Sequence, residues 1–218
     1  MSFDIEGKFK YNFTGCENLS EYYSQVCQDV FVLSVLDGKA NGTYLEIGAY
    51  LPDSINNTYL LSKNYNWSGV SIDIQQSDWS FVRPDDIYLV ADALSLSYSD
   101  FFNEYFNNNN VIDYLQLDIE PSINTLNALF KVFQSHQRFR VITFEHDIYT
   151  GGHVARNLSR DFLKKFGYTL IAEDVITDEN YPFEDWWVDL NLVNKEVALD
   201  IAEVSKNIKF PRNFLFTN

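Results

Sequence analysis

Apolar positions recur along the chain with two different periods. In EYYSQVCQDVFVLSVL (21–36), Tyr22, Val26, Val30 and Leu33 fall at helical spacing, which predicts an amphipathic helix that ends in the turn at Asp37-Gly38. TYLEIG (43–48) follows as a short apolar strand, and a second helix is predicted to start near Asp53, after Pro52. Further strands are predicted at 69–74, 86–91, 111–118 and 139–145, with helices at 98–106, 122–133 and 155–166 between and after them. Two later strands are predicted at 168–174 and 186–193, separated by the polar, Pro-containing stretch 177–185. This alternation predicts an α/β fold, Rossmann-like, with a mostly parallel central sheet covered by helices on both faces.

A chain of 218 residues suits one domain. The expected division is an N-terminal helical cap (1–40), a Rossmann-like core (41–200) and an aromatic C-terminal tail (201–218) that docks on the body or joins copies into a homo-oligomer. Cys16 and Cys27 are too few for a disulfide framework and are read as free thiols. No apolar run is long enough to span a bilayer and no secretory signal is evident, so a cytoplasmic protein without membrane attachment is expected. The net charge of -15 argues against nucleic acid as a partner, because phosphate binding rests on clustered Lys and Arg. A small-molecule acceptor fits better.

In open parallel sheets, ligands bind beyond the carboxyl ends of the strands. Read in order, those ends carry Glu46-Ile47-Gly48-Ala49, Asp73, Asp92-Ala93, Asp118-Ile119-Glu120 and Glu145-His146-Asp147. The first lacks the G-x-G-x-x-G fingerprint, which disfavours a nicotinamide dinucleotide. An E-x-G-A turn instead lets backbone approach a small ligand at Gly48. Asp73 is placed to accept from ribose hydroxyls, and Asp92 from an adenine amino group. Each acid also has a plainer reading as a helix cap or solvated loop residue.

Several motifs together resemble the FkbM family of S-adenosylmethionine-dependent O-methyltransferases. YSQVCQDVFVLSVL is similar to that family's N-terminal S-Q-x-x-Q-D helix, and GTYLEIGAYLPDSINNTYLL to its first glycine motif. NWSGVSIDI and DYLQLDIE are similar to its second strand and its D-x-L-x-x-D-x-E segment. The resemblance covers roughly 22–149 and implies a class I methyltransferase fold. It also implies cofactor contacts from Glu46, Gly48 and Ala49 to the methionine part, Asp73 to the ribose and Asp92-Ala93 to the adenine, with Gln25 and Asn57 closing the site. The implied reaction is methyl transfer to a hydroxyl, of a sugar or a polyketide-like acceptor. One departure matters: Ile123 stands where the family's D-x-E-G-x-E carries its second glutamate, so any role of that acid is lost here.

Glu145-His146-Asp147 suggests a histidine base oriented by carboxylates; the plainer reading is a structural His146. A divalent-metal site (Mg²⁺ or Mn²⁺) built from Asp118, Glu145 and His146 is a further expectation, resting on convergence of adjacent strand ends. For Trp186 and Trp187, sugar stacking competes with core packing on opposite strand faces. The alternative to an enzyme is a scaffold or sensor that keeps the fold without catalysis.

Overall fold

The computed structural model describes residues 1–107 and 109–217. Asn108, inside the asparagine run read as a solvated loop, and Asn218 lie outside the described residues. Seven strands form the central sheet: β1 (Thr43–Ile47), β2 (Ser68–Asp73), β3 (Ile87–Val90), β4 (Val111–Leu117), β5 (Arg138–Glu145), β6 (Thr169–Ile176) and β7 (Pro182–Val188). Their spatial order is β3-β2-β1-β4-β5-β7-β6. The first five run parallel, while β7 lies antiparallel between β5 and β6. Strand order therefore reverses between β1 and β4, which opens a crevice at their carboxyl ends.

Helices α1 (Gln28–Val35), α2 (Tyr59–Tyr65), α3 (Tyr98–Phe106), α4 (Ser122–Phe133), α5 (His153–Lys165), α6 (Lys195–Ser205) and α7 (Arg212–Leu215) cover both faces. On one face Tyr44, Tyr114, Val141 and Trp186 pack with apolar residues of α1, α2, α6 and α7. On the other, Leu45, Leu115, Ile142 and Trp187 pack with α3, α4 and α5. Strand alternation sends the two tryptophans to opposite cores, and both are fully buried. Core packing is thus the outcome for each, and neither is free to stack on a sugar.

The chain departs from the periodic reading in several places, among them the unpredicted helix α6 and the short strands Phe3–Asp4, Lys8–Phe9 and Glu21–Tyr22 in the segment expected as a helical cap. The predicted helix at 21–36 forms only from Gln28, because the buried Asp29 carboxylate gathers the preceding loop around itself. It accepts from the backbone N–H of Tyr23 and Ser24 (2.9 and 3.1 Å), from that of Val30, and from Ser24 Oγ. Every residue of α1 is buried, so the segment is a core helix with no solvent-facing stripe. The helix expected near Asp53 starts at Tyr59, because Asn56 Oδ1 takes the N–H of Thr58 and Tyr59 and ends the loop there. Finally, the last predicted strand lies earlier, at Pro182–Val188, with its first half inside the stretch read as a polar loop. The C-terminal tail docks: Phe216–Thr217 pair antiparallel with Lys8–Phe9. Cys16 and Cys27 are free.

Candidate active site

A cleft of about 320 Å³ lies at the carboxyl ends of β1 to β4. Gly48, Asp73, Asp92, Ala93, Asp118, Glu120 and Asn124 are among its lining residues, together with apolar groups such as Ile72 and Ile119, and no Lys, Arg or His lines it. Gly48 is required at its position twice over. Its φ is +91°, and a Cβ there would stand 1.6 Å from the Asp118 carbonyl oxygen. The backbone of the first strand end is thereby drawn against the turn after β4.

Asp73 orders the rim of the cleft. Its Oδ2 accepts the N–H of Tyr50 (3.0 Å) and its Oδ1 that of Gln75 (2.7 Å), which leaves lone pairs on both oxygens for a ligand. Asp92 accepts from Leu94 N and Ser95 Oγ, and these bonds hold its carboxyl below the usual range, the serine contributing most. Thr125 Oγ1 of α4 accepts the Ile119 N–H (2.9 Å) and donates to the Ile119 carbonyl (2.7 Å), fixing the Asp118-Ile119-Glu120 turn.

Four residues expected at the cofactor do not line this cleft. Glu46 points to the opposite sheet face and is fully buried. There it accepts from Asn56 Nδ2, Thr58 Oγ1 and Ser71 Oγ at 2.8–3.2 Å; burial raises its carboxyl, against the pull of the nearby Arg83 guanidinium. Glu46 stands two residues before Gly48 in a strand, so its side chain leaves the sheet before the crevice begins. Arg83, also buried, donates to Asn56 Oδ1, Thr58 Oγ1 and the Tyr44 hydroxyl and pairs with Asp86 at 2.6 Å. Ala49 is buried and bonds through its N–H to Ile72. Asn57 is buried with its Oδ1 unpartnered, and Gln25 is exposed on the loop before α1.

Next to Asp118 stands a group of further acids. The carboxyl groups of Asp118 and Glu145 lie within hydrogen-bonding reach, Asp147 is in reach of Glu145, and Glu184 faces both strand ends. Glu184 sits directly across from Glu145 in the β7–β5 pairing. Burial, reinforced by the neighbouring acids, raises Asp118 to about 7 and Glu145 well above the carboxylate range. Glu184 rises to about 8, again chiefly through burial, although Trp186 Nε1 and Gln28 Nε2 donate to it. Asp118 and Glu145 thus share protons near neutrality. Glu184 was not legible in the sequence, since nothing there announces the antiparallel strand that carries it.

The expected convergence of His146 with Asp118 and Glu145 does not occur. Glu145 and His146 are successive residues at the end of β5, and their side chains leave on opposite sides. The His146 imidazole is fully buried, with Nε2 3.5 Å from both Asp174 Oδ1 and Asp185 Oδ1, and its Nδ1 accepts the Ile148 N–H. Asp185 is already clamped by Arg160 through two 2.6 Å bonds, and Asp174 by Arg156 and Arg160. Arg160, with His146, holds Asp185 down to about 2 despite its burial. His146, Asp174 and Asp185 are near enough to one another to ligate an ion, but two guanidinium groups already balance the carboxylates there. His146 therefore belongs to a structural ion network, apart from Asp118 and Glu145, and does not complete the expected three-residue metal site or stand as a base in the cleft. His153 opens α5, and His136 is exposed just beyond the end of α4.

No protein-family model matches the chain, and no curated protein sequence does. Among solved structures, it is similar to a candidate rRNA methylase from Clostridium thermocellum. That likeness has a TM-score of 0.52 at 15% identity and covers 78% of this chain and 99% of the other. It is likewise similar to the fibrillarin–Nop5p complex, with a TM-score of 0.52 at 12% identity over 85% of this chain and 95% of the matched one. The fold is the Rossmann-like class I methyltransferase fold, with its antiparallel β7. Among the described residues, no helix is long and apolar enough to cross a membrane.

Proposed function

We propose that the protein is an S-adenosylmethionine-dependent O-methyltransferase of FkbM type that acts on a hydroxyl of a small molecule such as a sugar. One observation carries the reading: the cleft at the topological switch point is lined by four acids and no basic side chain. Such a lining suits a cofactor that bears a sulfonium and an ammonium, and it repels the pyrophosphate of a dinucleotide or the phosphates of RNA. Asp73 and Asp92 accept from the ribose and adenine ends, and Gly48 and Asp118 border the methionine end.

The cofactor, when bound, supplies an electrophilic methyl group. Asp118 would take the proton of the acceptor hydroxyl as that oxygen attacks. A carboxylate held near neutrality by burial is suited to that task. Calorimetry with S-adenosylmethionine and S-adenosylhomocysteine tests the class, and absence of binding at about millimolar cofactor refutes it. Asp118→Asn is expected to slow methyl transfer at saturating cofactor roughly 10²- to 10⁴-fold. Wild-type activity is expected to rise with pH through about 7 and to survive chelator.

A further inference from the structure

We infer that Arg83 and Trp79 are positioning residues for the cofactor: they join the loop after β1 to the loop after β2 and thereby set the Asp73 carboxylate at the cleft. The inference rests on the reading of that cleft as the S-adenosylmethionine site. Neither Arg83 nor Trp79 is among the residues that line the cleft, so each acts through others.

The two loops, 48–58 and 74–86, contain no helix or strand, yet between them they fix Asp73. The Tyr50 N–H binds one of its oxygens and the Gln75 N–H the other, and Asp73 and Gln75 both line the cleft. An irregular loop keeps one conformation only where its bonds outweigh the entropy of ordering it. Here those bonds meet at one buried side chain. Arg83 belongs to the second loop, is 4% exposed, and directs most of its guanidinium donors at the first. Nη1 donates to Asn56 Oδ1 (3.0 Å) and to the Pro52 carbonyl (3.4 Å), and both terminal nitrogens donate to Thr58 Oγ1 (3.1 Å each). Nη2 also reaches the Tyr44 hydroxyl of β1 (2.7 Å), and Nε pairs with Asp86 at the end of its own loop (2.6 Å). Such a fork needs a planar guanidinium, which a lysine ammonium does not reproduce.

Trp79 carries this anchoring to Asp73. The Arg83 guanidinium carbon lies 4.6 Å from the Trp79 ring centroid, and Trp79 stacks on Tyr88 of β3 with centroids 4.7 Å apart and planes 18° from parallel. From that stack Trp79 Nε1 donates to the Tyr50 carbonyl (3.3 Å), and the Tyr88 hydroxyl donates to the Gln75 carbonyl (2.6 Å). Both residues that bind Asp73 through their N–H are thus held by their carbonyls as well. Releasing a carbonyl lets its loop shift, and the Asp73 carboxylate loses its fixed direction.

The test is a double-mutant cycle on S-adenosylhomocysteine affinity, measured by calorimetry on wild type, Trp79→Phe, Asp73→Ala and the variant with both changes. Phenylalanine keeps an aromatic ring against Arg83 and Tyr88 and removes the donor to Tyr50. Trp79→Phe is expected to bind about three- to tenfold more weakly than wild type, and the double variant no more weakly than Asp73→Ala alone. A residue that only stabilised the fold would weaken both backgrounds equally. Arg83→Lys, assayed in the same way, is expected to show the same coupling to Asp73; Trp79→Phe keeps the test decisive if the lysine variant does not fold. Unchanged affinity in Trp79→Phe, unchanged affinity in Asp73→Ala, or equal losses with and without Asp73 would overturn the inference. Failure of wild type to bind S-adenosylhomocysteine would instead overturn the methyltransferase reading on which it rests.

Discussion

Replacing Glu184 by glutamine should stabilise the protein in alkali, an unusual outcome for removing a buried charge. Glu184 is 1% exposed, and one of its oxygens accepts from both Trp186 Nε1 and Gln28 Nε2 while the other has no partner. Burial and the neighbouring acids move its carboxyl from 4.5 to about 8. The folded chain thus keeps a proton that the unfolded chain releases. This group's contribution is intact below about pH 4.5 and is lost as pH rises through about 8. At about 1.4 kcal/mol per pH unit the full displacement is about 5 kcal/mol; with part of it owed to Asp118 and Asp185, about 3 kcal/mol belongs to Glu184 itself. Glutamine keeps the doubly bonded oxygen and puts its amide where the unpartnered oxygen stood. In urea unfolding, Glu184→Gln should match wild type within about 1 kcal/mol near pH 5 and exceed it by about 3 kcal/mol near pH 9. A variant no more stable than wild type near pH 9 would refute the reasoning, because ionised Glu184 would then be compensated in the fold.

Three further outcomes follow from the geometry. Gly48→Ala should cost more than about 3 kcal/mol and abolish cofactor binding, since its Cβ would collide with the Asp118 carbonyl; an unchanged melting temperature contradicts this. Arg160→Met should destabilise by about 3–5 kcal/mol near neutrality by stranding Asp185. Because Asp185 is held at about 2, below its ordinary 3.8, its stabilisation is present above 3.8 and lost as pH falls through about 2, so the deficit should shrink in acid denaturation. Asp73→Ala should weaken S-adenosylmethionine by roughly 1.5 to 3 kcal/mol in calorimetry, whereas Asp73→Asn, which still accepts from Tyr50 N, should lose less. Equal affinities would mean that Asp73 serves the loop alone.

Period and turn chemistry made much of the fold legible. Helices α3 and α4 begin and end where the pattern predicts them, because their stripes face one core and their termini are punctuated. Lines of sight failed where a buried polar group overrides local preference. Asp29 unwinds the start of α1, and Asn56 delays α2, both through bonds that no spacing reveals. At the site, Gly48, Asp73, Asp92, Ala93 and Asp118 could be found because strand ends can be found. Glu46 and His146 could not be placed, because being next to a strand end does not say which face a side chain leaves by. Glu184 was hidden for a different reason: β7 enters against the parallel direction, and its partner in sequence is 39 positions away, at Glu145.

The pairing of Thr217 with Lys8 joins residues 209 positions apart, and the core that surrounds α1 draws on residues from Tyr11 to Phe216. During synthesis, α1 therefore emerges long before the tryptophan and phenylalanines that enclose it, with Phe31 waiting for Trp186, its stacking partner at 4.5 Å. The opposite core, spanning Leu45 to Trp187, draws on none of these terminal segments. Folding should then be led by the side of the sheet that carries α3, α4 and α5, with the N-terminal forty residues captured last and at high contact order. Until that capture, a helix that the finished fold buries on every side is exposed, and this is the interval in which the chain is most open to aggregation or chaperone binding.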